Sequence, residues 1–299
     1  MELDRRNEEM VKTAATVDQP VRPRRRFLQR HGGLAVTLVL LVLGAIFVLL
    51  PLYWLISTAF KNGNDAFALP PRYVTKPTLS SFKLILGGQF AHYVLNSIIV
   101  AIASTAVALL LGVPAGYAFA RSPVRGARIF NTWFVLAYVA PPVVFIIPLY
   151  IMYQHLHLLD TYQGLILAYE TGLLPFTIWL MRVYFTEVPR ELDEAAWIDG
   201  CSKMRALWKV VLPTVWPGLT TVGLLVGLAS WGEYFGALIL TGPHTETAPV
   251  AVEGYIGTTF ANWSELAAAG VVLVIPALLA TVLVQRGFVR GLTFGAVKQ

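Results

Sequence analysis

The residues best suited to chemistry are two acids set inside long apolar stretches, Glu170 and Glu233. A charge facing lipid costs roughly 3 kcal/mol, so both carboxylates are expected to face a protein interior. Glu233 stands amid Trp231, Tyr234 and Phe235, and aromatic faces beside a hydrogen-bonding carboxylate suit a ring that carries hydroxyls. The same carboxylate would serve equally well to tie one helix to its neighbour, and the residues alone leave both readings open. Asn96, Tyr117 and Tyr138 are further polar candidates for a cavity wall. Catalytic constellations are absent. No Lys follows a Gly, which excludes a phosphate-binding P-loop, and there is no nucleophile elbow or HExxH pattern. His155 and His157 share no helix face and have no Cys nearby, so they read as a solvated helix end and not a metal site. Cys201 is the single cysteine and can form no intrachain disulfide. No catalytic residue, metal or cofactor is expected in this chain.

A second set of residues is suited to mechanical contact. Glu187, Glu191, Asp193, Glu194 and Asp199 crowd one short polar stretch with a single Arg, whereas Lys203, Arg205 and Lys209 follow without an acid. Pro189 suits a first helical position, and the acids after it complement the positive end of a helix dipole. Leu192, Ala195 and Ala196 form a stripe of little bulk that lets a partner approach the backbone. Gly200 breaks the run, Ser202 can cap a second helix, and Pro213 disfavours helical geometry at Leu212 and marks its expected end. The spacing predicts two short helices separated by a glycine. An amphipathic loop packed on its own membrane domain would show any one of these features.

The conjunction Glu194-Ala195-Ala196, three residues, Gly200, nine residues, Val210, one residue, Leu212-Pro213 resembles the EAA signature of ABC-importer permeases, with Val210 where that family usually has Ile. The resemblance implies that this bracket is the coupling helix seated in a cleft of a separate ATPase, with Glu191, Glu194, Ala195, Ala196, Asp199, Gly200, Leu212 and Pro213 as coupling residues. ATP and magnesium then belong to the partner ATPase. Pro141-Pro142 with Ile147-Pro148-Leu149-Tyr150, Leu158-Leu159-Asp160-Thr161, Pro175-Phe176 with Trp179, Trp231-Gly232-Glu233-Tyr234 and Gly291 to Lys298 are similar to the maltose-type, oligosaccharide-importing branch. That branch implies a homologous second permease, an ATPase dimer and an extracytoplasmic substrate-binding protein as partners. Carbohydrate is the implied solute, with a glycerophosphodiester or polyol as the alternative within the class. A secondary transporter or membrane enzyme without ATPase partners is the alternative outside it.

Composition is consistent with the elements these residues need. With 56% hydrophobic and 13% charged residues and a mean hydropathy of +0.64, 299 residues cannot cover a soluble domain of this size. Six apolar segments of about 20 residues or more fit membrane spans. They run over residues 32–60, 93–120, 129–153, 162–182, 214–240 and 266–285. Prolines 114, 141, 142, 148 and 276 are expected to bend spans two, three and six. The net charge of +6 follows topology and not nucleic acid. Of 23 Lys and Arg, 19 fall in the N-terminal tail, the 121–128 turn, the bracket and the C-terminal tail. Those segments are expected to face the cytosol. The expected molecule is an all-α, polytopic inner-membrane protein with the type I ABC-importer permease fold, six transmembrane helices and both termini cytosolic. Residues 1–31 form a disordered basic tail, 32–290 the transmembrane domain with its bracket at 186–213, and 291–299 a cytosolic tail. The loops at 60–92 and 241–265 face outward, where the resemblance implies that a binding protein docks.

Overall fold

The computed structural model describes residues 24–294 except 67, 71, 74, 123–126, 140, 141 and 257–261, with side chains described between 36 and 283 except also at 127, 128, 131, 135, 137, 138, 142 and 143. Every regular element among the described residues is a helix. The chain divides into two compact units, residues 1–54 and 55–299. The first holds most of α1 (Arg24–Ala59), whose side chains such as Leu40, Phe47 and Leu50 are exposed on all sides. Helix begins at Arg24, eight residues before the expected start of the first span. The rest of the expected tail lies outside the described residues.

In the second unit follow α2 (Ser80–Gly87), α3 (Phe90–Arg121), α4 (Ala127–Val139), α5 (Pro142–His155) and α6 (Tyr162–Glu187). Next come the short α7 (Glu191–Ile198) and α8 (Lys203–Ala206), then α9 (Trp216–Trp231), α10 (Phe235–Leu240) and α11 (Trp263–Phe294). Among the described residues four stretches are long and apolar enough to cross a membrane: residues 36–59, α3, α6 and 263–283. Pro114 and Pro276 sit within unbroken helices, so neither interrupts its span.

Helix is described on both sides of the paired prolines in the third expected span, as α4 to Val139 and α5 from Pro142. The fifth is interrupted after Trp231, and an 88° bend separates α9 from the helical stretch 203–214 before it. Pro213 does not stop that stretch. Leu207–Val211 forms a π turn in which the N–H of Leu212 bonds to the carbonyl of Leu207, and Leu212–Thr214 continue helically to Val215. After the register change Pro213 occupies the first turn of a new helical segment, where its missing N–H is not needed.

The central contact is between α3 and α6. A Cβ on Gly112 would lie 2.5 Å from Thr177 Cγ2, and one on Gly116 would lie 2.9 Å from Met181 Cβ, so the two backbones touch through small residues four apart. Lipid supplies no hydrophobic drive between helices, and close packing of this kind is what holds them. Val113, Leu165, Phe185, Val222 and Val226 complete the core, which α9 closes by packing against both α3 and α6. Gly218 makes that closure possible by meeting the ring of Tyr184. A second cluster gathers Ala59, Ile85, Phe90, Ala251 and Ala268.

Candidate functional site

The bracket folds as two helices about a glycine. Glu191, Asp193 and Glu194 occupy the first turn of α7. Helix begins at Glu191 after Arg190, so Pro189 stands two residues ahead of it and not at its first position. At the other end the N–H of Gly200 donates to Trp197 O and that of Cys201 to Ala196 O, the paired closure of a Schellman motif. Gly200 has φ +82°, a left-handed geometry that a side chain resists. Ser202 then caps α8 by accepting from the N–H of Arg205, and Lys203 Nζ lies 5.8 Å from the Trp197 ring centroid, bridging the two helices. Glu191, Glu194, Ala195, Asp199 and Pro213 are exposed, as is Ile198 at 86%, whereas Ala196 and Leu212 are buried.

One acid of α7 points inward. Asp193 is 1% exposed, and its Oδ2 lies 2.7 Å from Nε of Arg121, the last residue of α3. Its Oδ1 accepts from the hydroxyl of Tyr117, which places Tyr117 at the bracket and not at a cavity. Sequence reading counted Asp193 only as a first-turn charge. The usable signal was its spacing of three from Ala196, the other buried position of α7, together with a basic residue closing an apolar helix.

A separate cavity of about 590 Å³ lies among α4, α5, α6 and α9, lined mainly by apolar groups including Trp133, Phe145 and Met152. Its polar points are Tyr169, Thr171, Ser230 and Glu233, of which only Glu233 was singled out from sequence. Glu233 interrupts the fifth span. Its Oε1 accepts from Gly236 N at 2.9 Å and its Oε2 from Ala237 N at 3.2 Å, starting α10 afresh. Its sequence neighbours turn elsewhere: Trp231 Nε1 donates to Leu273 O of α11, and the Tyr234 hydroxyl donates to Glu253. Glu170 is buried on α6 away from this lining, with neither carboxylate oxygen hydrogen-bonded among the described residues. Tyr138 falls in α4, and its side chain lies outside the described residues.

At the opposite end of α3, about 40 Å from Arg121 at 1.5 Å per residue, Asn96 is fully buried. Its Nδ2 donates to the carbonyls of His244 and Glu246, and its Oδ1 accepts from Tyr162. Ser97 accepts from the N–H of Ala248. Asp160, which no motif analysis marked as a structural anchor, gathers the same segment. Burial alone would push its carboxyl up, but the Thr245 hydroxyl and the N–H groups of Gly242, Thr245 and His244 donate to it and hold it below the usual carboxylate range. Asn96 therefore fastens a cap over residues 241–248. Among the described residues no group of His, Cys, Asp or Glu could hold a metal ion.

A family model described as the binding-protein-dependent transport system inner membrane component matches residues 108–294, from the middle of α3 through the bracket to α11. The chain belongs to this family. This permease is 34% identical over 266 residues to the diacetylchitobiose uptake system permease protein DasC of Streptomyces coelicolor, covering 88% of this chain and 95% of DasC. It is 34% identical over 259 residues to the trehalose transport system permease protein SugB of Mycobacterium tuberculosis, covering 84% and 93%. Its fold matches a chain in the crystal structure of a bacterial ABC transporter involved in the import of the acidic polysaccharide alginate. That match has a TM-score of 0.73 at 24% identity, over 90% of the permease and 99% of that chain. The permease is thus a transport component of the inner membrane, and its several apolar helices make it multi-pass.

Proposed function

We propose that this permease is one of two homologous subunits forming the translocation path of an ATP-driven carbohydrate importer of the type I fold. The observation that carries the coupling half of this reading is the bracket: a Schellman-closed helix presenting Glu191, Glu194, Ala195 and Ile198 outward while Asp193 holds it from beneath. An ATPase dimer holding ATP and magnesium docks on that face. The relatives that import diacetylchitobiose and trehalose support a carbohydrate, of disaccharide or oligosaccharide size, as the solute.

Six crossings are formed by α1, α3, α4 with α5, α6, α9 with α10, and α11. The 27 residues of α4 and α5 supply about 40 Å of helix against a hydrocarbon core of about 30 Å. Both termini lie in the cytosol, in keeping with the placement of Lys and Arg. The tails at 1–31 and 291–299 flank the transmembrane domain of 32–290. The capped segment 241–248 then faces outward, where an extracytoplasmic binding protein delivers the solute. Within this subunit Glu233, Tyr169 and Ser230 contribute the polar points of the path. Trp231, Tyr234, Asn96 and Glu170 support it from outside the cavity lining, and Tyr138 remains a wall candidate on α4.

The test is reconstitution of the permease pair with its ATPase and binding protein in proteoliposomes. Uptake of radiolabelled trehalose or diacetylchitobiose that requires ATP and binding protein is the expected result. Uptake without ATP, or failure of any ATPase to co-purify, would overturn it.

A further inference from the structure

The bracket reaches the membrane domain in two ways. One is the covalent path, through residues 188–190 into α6 and through the π turn toward α9. The other is the cluster of Asp193, Arg121 and Tyr117, which joins α7 to residues 72 and 76 positions earlier, on α3. Both sides of the ion pair are enclosed, with side-chain exposures of 7% for Arg121 and 2% for Asp193. A charge pair taken out of water holds only when its geometry is kept, because separating the partners leaves each charge buried alone. The cluster therefore resists relative displacement of α7 and the end of α3 more strongly than apolar side chains, which can slide past one another. From that end α3 continues as one helix, packed backbone to backbone on α6 at Gly112 and Gly116.

We propose that Asp193 is a positioning residue of the coupling step: through Arg121 and Tyr117 it makes α7 and the end of α3 move as one body, so that ATPase closure displaces α3 directly. Ala196 and the π turn seat the bracket, and Asp193 gives it direction. The inference rests on the ATP-driven reading above and adds a route that the exposed coupling residues do not supply.

Cys201, the single cysteine, and an introduced Ser122→Cys give two positions for spin labels, one on each side of the cluster. In the complete transporter the inter-label distance is measured without nucleotide and after trapping with magnesium, ATP and vanadate. The wild type is expected to give one narrow distribution, the same in both states. Asp193→Asn is expected to broaden or shift on trapping, to retain co-purified ATPase and ATP hydrolysis, and to lower uptake per ATP hydrolysed roughly ten-fold. Arg121→Lys, which keeps the charge, is expected to recover part of that ratio. Should Asp193→Asn fail to accumulate, Tyr117→Phe tests the same link by removing a single hydroxyl, with a smaller change in the same direction. A wild-type distance that changes on trapping overturns the proposal. So does an Asp193→Asn or Tyr117→Phe transporter whose distance and uptake ratio match the wild type, or a loss of uptake matched by an equal loss of assembled complex. A wild-type complex that binds no ATPase overturns the importer reading itself and is recognised before any variant is made.

Discussion

Gly116 and Met181 stand so close that a Cβ on the glycine would lie 2.9 Å from that of the methionine, with Arg182 N and Ile178 O about as near. Two of those three atoms are backbone, which cannot rotate aside. Gly116→Val should force α3 from α6 and cost about 1–3 kcal/mol, the usual range for overpacking. Gly172 has no atom within 4 Å of its would-be Cβ, so Gly172→Ala should be neutral or stabilise by roughly 0.5–1 kcal/mol. Thermal unfolding of the two variants in one detergent checks the contrast, and equal midpoints would show that the approach carries no weight.

The bracket should fail in two separable ways. Gly200→Val places a β-branched residue at φ +82°, at a strain of about 1–2 kcal/mol, and so loosens the closure of α7 and redirects α8. Glu194→Lys leaves the backbone alone but removes a charge-assisted contact worth roughly 1.5–3 kcal/mol and sets like charges together in the docked interface. Both variants should insert at normal abundance and lose uptake, and Glu194→Lys should in addition lose co-purified ATPase. Normal uptake and normal ATPase recovery for Glu194→Lys would return the bracket to the status of a solvated loop.

Glu233→Gln retains one carboxyl-type oxygen and so keeps at most part of the double acceptance from Gly236 and Ala237. Assembly should persist, because these bonds are local to the start of α10, while transport falls as the cavity wall loses its charge. Glu233→Ala should lose both bonds and lower the unfolding midpoint further. Wild-type transport by Glu233→Gln would leave the carboxylate a helix-starting role only.

Asp160 gives the capped segment a definite response to acid. Its folded-state carboxyl titrates below the ordinary value, so its contribution to stability is complete above the unfolded pKa, about 3.9, and is lost as pH falls through the depressed folded value. Asp160→Asn should be less stable than the wild type at neutral pH and converge on it below about pH 4. Unfolding midpoints of the two proteins against pH provide the check, and parallel curves would remove the carboxylate from the account.

The bracket was legible because its signals are local: a glycine, a capping serine and an acidic first turn act within a few residues of one another. Asp193 could not be separated from Glu191 and Glu194 on that basis, since the distinction is made by Arg121 and Tyr117 from another helix. Asn96 drew attention as a polar group within an apolar run, but its partners are carbonyls of His244 and Glu246, and backbone acceptors leave no trace in side-chain identity. Glu233 and its aromatic neighbours shared a short stretch yet parted company, because the helix break at 232–234 sends Trp231 toward α11 and Tyr234 toward Glu253. Apolar runs gave the approximate extent of each span. They gave no sign that Pro213 would follow a change of register.

That change of register bears on the arithmetic of the motif. A π turn is a helical turn lengthened by one residue, so the nine positions between Gly200 and Val210 include one that an α-helix over the same path would omit. Winding the same residues as α-helix, with none deleted, would instead rotate everything before the turn by about 100°. Met204 would then present itself on a different side while Leu212 kept its place. A count of residues between two motif letters thus works here as an angular setting, fixing the bearing of one face on another with no side chain assigned to the task.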